Sequence, residues 1–224
     1  MDWLYVWSPR YRFFHEFLQA SVRDLSGFQI QPVFAEQNLF TPIDLSGSHF
    51  LTGIPIKIHV ICNYIEKNMG KYLFFTDVDL IVFPEFQAND LEIYKQYDIT
   101  TMKEVTPITV YNIGCMLIQC SEKTLAFFTR VLNRIRNEKL LDQVVFNEEV
   151  YSGDVSVGMF NENEFLQSNM LTENSDSYKI VQCLTSSTDL TEVLLEKVAT
   201  IQSAYDISRL IQFLPEDVQQ QLHA

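Results

Sequence analysis

The most constraining stretch of this sequence is an apolar run from Tyr72 to Phe83 that is interrupted by two aspartates. The continuous apolar segment from Tyr72 to Phe75 is typical of a strand that is buried on both faces of a sheet. A charged carboxylate buried without a partner at this place would be strongly destabilising. Asp77 and Asp79 therefore require a cation or hydrogen-bond donors close to them.

Strand-like and helix-like segments alternate along the chain. The predicted strands are Trp3–Trp7, Phe28–Phe34 with a break at Pro32, Tyr72–Phe75, Leu80–Phe83, Tyr97–Met102, Ile113–Ile118 and Tyr178–Cys183. The predicted helices run from Tyr11 to Val22, from Ile54 to Met69, from Leu125 to Ile135, from Leu141 onward, from Leu190 to Ile201 and from Pro215 onward. Phe40 to Gly53 is predicted to be a loop, and Tyr151 to Tyr178 is a polar stretch.

This alternation predicts an α/β fold with a mixed, mostly parallel central sheet flanked by helices. We expect one domain over residues 1–224, in which about 206–224 form a C-terminal helical appendage. Ligands of such sheets bind beyond the carboxyl ends of the strands. The aspartate pair directly after a buried strand is therefore where chemistry is expected.

The charge balance excludes several classes of partner. Lys and Arg number 16 and Asp and Glu number 29, which gives a net charge of −13. Such a chain is a poor candidate for nonspecific binding of nucleic acid or of an anionic membrane surface. No apolar run reaches the ~20 residues that span a bilayer, and the first residues lack a basic start. We expect no membrane span and a cytoplasmic protein, and an anionic ligand would need a local cation.

The Asp77-Val78-Asp79 motif is the strongest candidate site. In an extended segment, residues two apart point to the same side, so both carboxylates would face one ligand. Oxygen ligands of this kind suit Mn²⁺ or Mg²⁺, which bind carboxylates and phosphate oxygens together. The alternative is a turn in which one aspartate acts as a cap and the other is solvated.

Two further groups of polar residues are weaker candidates. Gly114 would allow close approach of a ligand, and Asn112 would hydrogen-bond to a sugar hydroxyl. Alternatively, they are an asparagine in a turn and a glycine at a bulge. Asp142 and Gln143 begin a helix, where first-turn residues are also favoured by the helix dipole.

Together these groups resemble a known family. The matching segments are Ser8-Pro9-Arg10-Tyr11, Phe75-Thr76-Asp77-Val78-Asp79, Asn112-Ile113-Gly114, and Asp142-Gln143 with Asn147. They look like the nucleotide-diphospho-sugar transferases of the GT-A fold. They are most similar to the group with plant cell-wall xylosyl- and arabinosyltransferases and algal-virus sugar transferases. The resemblance covers roughly residues 3 to 205 and implies a single GT-A (Rossmann-like) domain.

The resemblance also implies roles for individual residues. Asp77 and Asp79 would hold the metal and the donor's ribose and diphosphate. The other implied donor-binding residues are Ser8, Pro9 and Tyr11 near the base, Lys57, Val78 within the motif, and Asn112 and Gly114 beside the donor sugar. Asp142 and Gln143 would be catalytic, near the anomeric carbon. For Lys57, a solvated helix lysine is the alternative.

One position departs from the family pattern. Members usually carry a late histidine near a lysine that completes the metal site, whereas the corresponding stretch here ends in Gln182-Cys183. Gln182 is a candidate for a weak, neutral oxygen ligand in its place. Lys197 is predicted to be a solvated helix lysine, with contact to the diphosphate as the alternative.

The resulting expectation is a metal-dependent hexosyl- or pentosyltransferase. It would move a sugar from a nucleotide-diphosphate sugar to a hydroxyl of a glycan, protein or small-molecule acceptor, with Mn²⁺ or Mg²⁺ as cofactor. The missing histidine motivates one alternative, a nucleotide-sugar-binding protein with little or no turnover. A phosphatase that uses an Asp-x-Asp motif and an interaction module without catalysis are weaker alternatives.

Overall fold

A computed structural model describes residues 1–35, 54–104, 109–170, 177–184, 189–203 and 205–222. The strands are β1 (Asp2–Trp7), β2 (Gln29–Phe34), β3 (Tyr72–Thr76), β4 (Leu80–Val82), β5 (Ile99–Lys103), β6 (Tyr111–Gln119), β7 (Val157–Met159), β8 (Phe165–Gln167) and β9 (Ile180–Gln182). The α-helices are α1 (Arg12–Val22), α2 (Ile54–Lys67), α3 (Glu122–Glu138), α4 (Asp142–Val150), α5 (Leu190–Gln202) and α6 (Glu216–Leu222). The predicted loop from Phe40 to Gly53 lies outside the described residues.

The central sheet has six strands in the order β2-β1-β3-β6-β5-β7. β1 pairs in parallel with both β2 and β3, and β5 pairs in parallel with β7. β6 lies between β3 and β5 and is antiparallel to both. The predicted α/β fold with a mixed, mostly parallel sheet is therefore confirmed. A second sheet has the order β4-β9-β8.

Both faces of the central sheet are buried. Successive side chains of a strand point to opposite faces, so each strand contributes to two cores. In β1, Trp3 and Tyr5 belong to one hydrophobic core, whereas Leu4 and Val6 belong to the other. The first core includes buried residues of α1, α5, α6 and the second sheet. The second core includes buried residues of α2, α3 and α4. The helices therefore cover the sheet on two sides, as an α/β layer structure requires.

The carboxyl end of β3 is fixed by packing on both sides. Leu73, Phe74 and Phe75 are at most 1% exposed, as the apolar run predicts. The indole N–H of Trp3 donates to the Thr76 hydroxyl at 2.9 Å, which satisfies two buried polar groups. Immediately afterwards the chain leaves the central sheet, and it enters the second sheet at β4. The aspartate motif is thus one of the links between the two sheets.

One sequence prediction about strands is wrong, and two short strands were not predicted. Pro32 does not break β2, because β2 is the edge strand and Pro32 pairs in register with Tyr5 of β1. An edge strand tolerates proline, which lacks the N–H that an inner strand must donate. The polar stretch from Tyr151 to Tyr178 contains β7 and β8, which were not predicted. Each has only three residues, too few to show an alternating pattern.

The C-terminal helices are anchored to the rest of the fold. The Asp189 side chain accepts hydrogen bonds from the backbone N–H groups of Thr191 and Glu192, so the predicted N-cap of α5 is confirmed. Val218 of α6 is buried in the first core, and Asp217 forms an ion pair with Arg10 at 3.0 Å. Within the described ranges, every helix is too short or too polar to cross a membrane.

Candidate functional site

Polar residues from several strands meet at one edge of the central sheet. β1 and β3 are parallel, so the residues that follow them, Ser8 and Asp77, lie at the same edge. β6 runs in the opposite direction, so its first residues lie there too: the backbone N–H of Asp77 donates to the Gly114 carbonyl at 2.7 Å. Glu104 follows β5 at this edge. This edge is the switch region where α/β proteins bind ligands.

The Asp77 carboxylate is held through both of its oxygens. Its Oδ1 accepts from the ammonium group of Lys57 at 2.8 Å, and its Oδ2 accepts from the side-chain amide of Gln182 at 3.3 Å. Lys57 comes from α2 and Gln182 from β9, so both sheets and a helix fix this one carboxylate.

Lys57 is a largely buried, paired cation and not the solvated lysine that was the alternative. Its side chain is 15% exposed, and its ammonium group also lies 3.9 Å from the Asp142 carboxylate and 5.7 Å from the centre of the Phe75 ring. Burial lowers the pKa of Lys57, but the charges of Asp77 and Asp142 outweigh burial and raise the pKa above its usual value. The ammonium group therefore stays charged at neutral pH.

Asp79 is buried against a second lysine. It is 5% exposed, and its carboxylate accepts a hydrogen bond from Lys197 of α5. Lys197 is 8% exposed, so the prediction of a solvated helix lysine is wrong. Its ammonium group lies 5.9 Å from the centre of the buried Tyr11 ring. Burial lowers the pKa of Lys197, but the charge of Asp79 more than offsets this and raises the pKa.

Tyr11 lies beside these charged groups. It is 3% exposed, and burial raises the pKa of its phenol to about 12, because the favourable charge of Lys197 does not compensate. The phenol is therefore neutral at physiological pH and able to donate a hydrogen bond.

Gly114 allows Asp77 and Gln182 to approach the β6 backbone. A Cβ at Gly114 would overlap the Gln182 amide nitrogen and would lie 2.9 Å from Asp77 Oδ2. Gln182 is 7% exposed, and its Oε1 is buried without a hydrogen-bond partner among the described residues. Such an orphaned acceptor usually marks a place where a ligand or water binds.

A second polar cluster is built around Glu104, a residue that the sequence analysis did not identify. Its Oε2 accepts hydrogen bonds from the amides of Gln143 at 2.7 Å, Asn112 at 3.1 Å and Gln167 at 3.3 Å. The predicted residues Asn112 and Gln143 are thus brought together by a carboxylate. One signal was present: like Asp77, Glu104 follows the end of a buried strand.

Asn147 holds the second cluster in place and has no free side-chain group to offer a ligand. Its carbonyl accepts from the backbone N–H groups of Val110 and Tyr111, both at 2.9 Å. Its amide donates to the backbone carbonyls of Tyr111 and Gln143, both at 2.8 Å. Because one side chain joins α4 to β6, Asp142 and Gln143 are fixed beside the sheet edge.

The remaining predicted donor-binding residues differ in accessibility. Ser8 is fully buried, and its hydroxyl has no partner among the described residues. Pro9 is exposed at the start of a short 3-10 helix, Pro9–Tyr11. Val78 is 4% exposed and belongs to the first hydrophobic core, so its side chain contributes packing.

These residues do not fit a divalent cation as they stand. Each carboxylate of the Asp77–Asp79 motif already contacts a lysine, and the third candidate ligand, Gln182, is neutral. Within the part of the chain that the structure describes, no three His, Cys, Asp or Glu side chains form a group that could hold a metal ion. Divalent cations bound through oxygen favour several charged ligands. The predicted Mn²⁺ or Mg²⁺ stays a prediction.

A comparison with protein families identifies the chain. The family model of the nucleotide-diphospho-sugar transferases matches residues 67–208, more than half of the sequence. The chain belongs to this family. The match includes both aspartates of the motif, the Glu104 cluster and Lys197, whereas Ser8, Tyr11 and Lys57 precede it. This nucleotide-diphospho-sugar transferase is therefore a nucleotide-sugar-dependent glycosyltransferase by family.

Solved structures confirm the GT-A fold of this transferase. A glycosyltransferase involved in glycosylation of the major capsid of PBCV-1 is similar, with a TM-score of 0.64 and 12% identity over 90% of this chain and 98% of that one. The galactosyltransferase LgtC, solved with donor and acceptor sugar analogues, has a TM-score of 0.55 and 11% identity over 96% and 100%. The glycosyltransferase GlyE of Streptococcus pneumoniae TIGR4 has a TM-score of 0.63 and 13% identity over 93% and 61%. No curated protein sequence matches the chain.

Proposed function

We propose that this transferase moves a sugar from a nucleotide-diphosphate sugar to an acceptor hydroxyl at the edge where β1, β3 and β5 end. The observation that supports it most directly is a pair of buried ammonium groups, Lys57 and Lys197, at this edge. The protein has a net charge of −13, so an anionic diphosphate needs cations at its binding site. These two lysines supply them.

The polar clusters suggest which part of the site binds the diphosphate of the donor and which part binds its sugar. The diphosphate lies beside Lys57 and Lys197, whose ammonium groups each have three N–H donors. The donor sugar lies against Gly114, where the absence of a side chain leaves room, and beside the Glu104 cluster. Carboxylate and amide groups such as those of Glu104, Asn112 and Gln143 suit the hydroxyl groups of a sugar, which both donate and accept.

The reaction exchanges one bond at the anomeric carbon. The bond from this carbon to the diphosphate oxygen breaks, and its electron pair leaves with the diphosphate. A bond to the acceptor oxygen forms, and the hydroxyl proton passes to the departing diphosphate. Lys57 and Lys197 stabilise the negative charge that grows on the leaving group. The Asp142 carboxylate stabilises the positive charge that develops on the sugar, as carboxylates do in glycoside hydrolysis.

Donor hydrolysis tests this function without knowledge of the acceptor. The protein is incubated with UDP-, GDP-, ADP- and dTDP-sugars, in Mn²⁺, in Mg²⁺ and in EDTA, and release of the nucleoside diphosphate is followed. We expect slow release from one donor, because water replaces the acceptor. Asp142→Asn should lower this rate by roughly 100-fold with little change in donor affinity. Asp154→Asn is the matched control, because Asp154 is exposed and pairs with Arg130.

A donor-binding protein with little or no turnover is the second candidate function. The pairing of both motif carboxylates with lysines favours this candidate, because the carboxylates are then neutralised within the protein and are not free to bind a metal ion. Donor binding in calorimetry without any release of nucleoside diphosphate would support this candidate. If no donor binds under any condition, the proposed function is wrong. Release of phosphate from a simple phosphoester would favour the phosphatase alternative instead.

A further inference from the structure

The environment of Asp79 is closed around a cation that the chain itself provides. Asp79 and Lys197 are both more than nine-tenths buried, and the lysine donates to the carboxylate. The backbone carbonyl of Asp79 accepts from the N–H of Cys183 at 2.9 Å, so Asp79 is also tied to the end of β9. The ammonium group thus occupies the position beside Asp79 that a metal ion would need.

The packing of α5 against the first hydrophobic core positions Lys197 beside Asp79. In α5, Leu194, Val198 and Ile201 are buried in the first hydrophobic core, and Lys197 lies on the same helical face. The Tyr11 ring lies on another side of the ammonium group, at 5.9 Å. Removing Lys197 from this pocket would leave a buried carboxylate without its partner, which is strongly unfavourable.

Asp77 offers a divalent cation no better access. Both of its carboxylate oxygens have partners, Lys57 and Gln182. A metal ion would therefore have to displace two lysines, or share the carboxylates with two positive charges a few ångströms away. Electrostatic repulsion between these cations opposes such sharing.

From this arrangement we propose that Lys197 takes the place of the divalent cation, so that the donor's diphosphate binds without metal. The proposal rests on the proposed function and specifies how its donor is bound. One N–H of the ammonium group is engaged by Asp79, and the same group has two further N–H donors for phosphate oxygens. Lys57 plays the corresponding part beside Asp77. Lys197 is in this sense a donor-binding residue that acts on the ligand directly.

Two binding measurements on the whole protein test the proposal. In the first, UDP, GDP, ADP and dTDP are titrated by calorimetry in EDTA and in Mn²⁺. We expect one nucleoside diphosphate to bind with affinities that agree within about threefold in the two buffers, because the lysines neutralise the diphosphate and a metal ion adds little. In the second, Mn²⁺ alone is titrated and free Mn²⁺ is followed by electron paramagnetic resonance. We expect no binding to the wild type below millimolar Mn²⁺.

Variants at the pair provide the decisive comparison. Lys197→Met with Asp79→Asn removes both charges without leaving either one unpaired, and it should weaken nucleoside diphosphate binding at least tenfold in EDTA. Lys197→Met alone frees the Asp79 carboxylate, so Mn²⁺ should now bind and strengthen nucleotide binding. Lys71→Met is the matched control, because Lys71 is exposed and precedes β3 at the opposite end of the strand. It should bind as the wild type does.

Different failures lead to different conclusions. If the wild type binds a nucleoside diphosphate only with Mn²⁺, the proposal is overturned and the proposed function stands. Unchanged binding by the double variant, with its fold intact by circular dichroism, also overturns it, because Lys197 would then only stabilise the fold. If no nucleoside diphosphate binds in either buffer, the proposed function itself fails.

Discussion

A residue at the sheet edge can shape the site through the space that it leaves for neighbouring side chains, as well as through its own functional groups. Gly114 is such a residue, because the Asp77 carboxylate and the Gln182 amide both occupy the space that its side chain would fill. Its backbone also accepts from Asp77 and donates to Asn112 Oδ1, each at 2.7 Å. A change at this position therefore reaches both polar clusters.

We predict that Gly114→Ala weakens donor binding in addition to lowering stability. The new methyl group must displace the Gln182 amide and press on Asp77. Overpacking of this kind costs about 1–3 kcal/mol of stability. Loss of the Asp77 geometry should weaken nucleoside diphosphate binding by about tenfold, which corresponds to 1.4 kcal/mol. Calorimetric titration gives the affinity, and urea unfolding gives the stability.

Gly158→Ala is a matched control for this substitution. A Cβ at Gly158 would overlap the ring of Tyr97 and lie 2.7 Å from its Cγ, so the steric problem is similar but lies on β7. We expect a comparable loss of stability with unchanged nucleotide affinity. If Gly114→Ala binds within twofold of the wild type, the assignment of Gly114 to the donor site is wrong.

The two lysines show what residue-level prediction missed and why. Lys57 lies on the same helical face as Ile58, Ile61 and Ile65, and Lys197 lies on the apolar face of α5. A lysine on an apolar face indicates a buried ion pair, since an unpaired one would be unstable. This signal was present in the sequence. The identity of the partner could not be predicted, because Asp79 and Lys197 are 118 residues apart and only the packing of α5 brings them together.

At the scale of elements, a single polar side chain can connect two strands and a helix. Asp98, directly before β5, accepts from the Lys123 ammonium of α3 at 2.6 Å. It also accepts from the backbone N–H and the hydroxyl of Ser156, both at 2.7 Å, directly before β7. β7 has only three residues and is the last strand of the sheet, so this carboxylate adds to the backbone pairing that attaches it to β5.

The stability that Asp98 provides should depend on pH. Burial raises the pKa of Asp98, but the hydrogen bonds from Lys123 and Ser156 outweigh it and lower the pKa below its usual value. A carboxylate whose pKa is lower in the folded state stabilises the fold above its unfolded pKa of about 3.9, and this is lost as pH falls through the folded pKa. We predict that Asp98→Asn loses about 1–2 kcal/mol at pH 7. The difference from the wild type should shrink below pH ~4.

Urea unfolding at pH 7, 5 and 3, followed by circular dichroism, measures this difference. Glu162→Gln is the control, because Glu162 and Lys103 form an ion pair in which both side chains are about half exposed. Exposed pairs of this kind contribute about 0–1 kcal/mol. A deficit of Asp98→Asn that stays constant from pH 7 to pH 3 would contradict the proposed role of the charge.

The sheet explains which elements were predictable from the sequence. The long apolar strands and the amphipathic helices were predicted because their patterns extend over several residues, as in β3 and α3. The antiparallel direction of β6 leaves no local pattern, because strand direction depends on the connections and not on the strand's own residues. β8 was missed although Phe165, Leu166 and Gln167 are all buried, since three residues in a polar stretch give no period.

At the scale of the whole molecule, net charge and local charge act in opposite directions on an anionic donor. The chain carries −13, whereas the ammonium groups of Lys57 and Lys197 are buried and each is paired with an aspartate. The repulsion from the whole protein extends over tens of ångströms at low salt. The attraction of the paired lysines is short-ranged, because each pair is nearly neutral from a distance.

We therefore predict that salt accelerates donor association. The Debye length falls from about 30 Å at 0.01 M salt to about 8 Å at 0.15 M. Added salt therefore screens the long-range repulsion more strongly than the short-range contacts inside the site. Stopped-flow measurement of nucleoside diphosphate binding between these salt concentrations should show a severalfold rise in the association rate constant.

Replacing exposed Glu66 and Glu216, both outside the site, by lysine changes the net charge from −13 to −9 and should accelerate association at low salt by the same mechanism. The corresponding nucleoside, which is uncharged, should associate at a rate that salt does not change. A rate constant for the diphosphate that falls with salt would contradict this prediction, because it would mean that the positive charge of the site outweighs the net charge of the protein during approach.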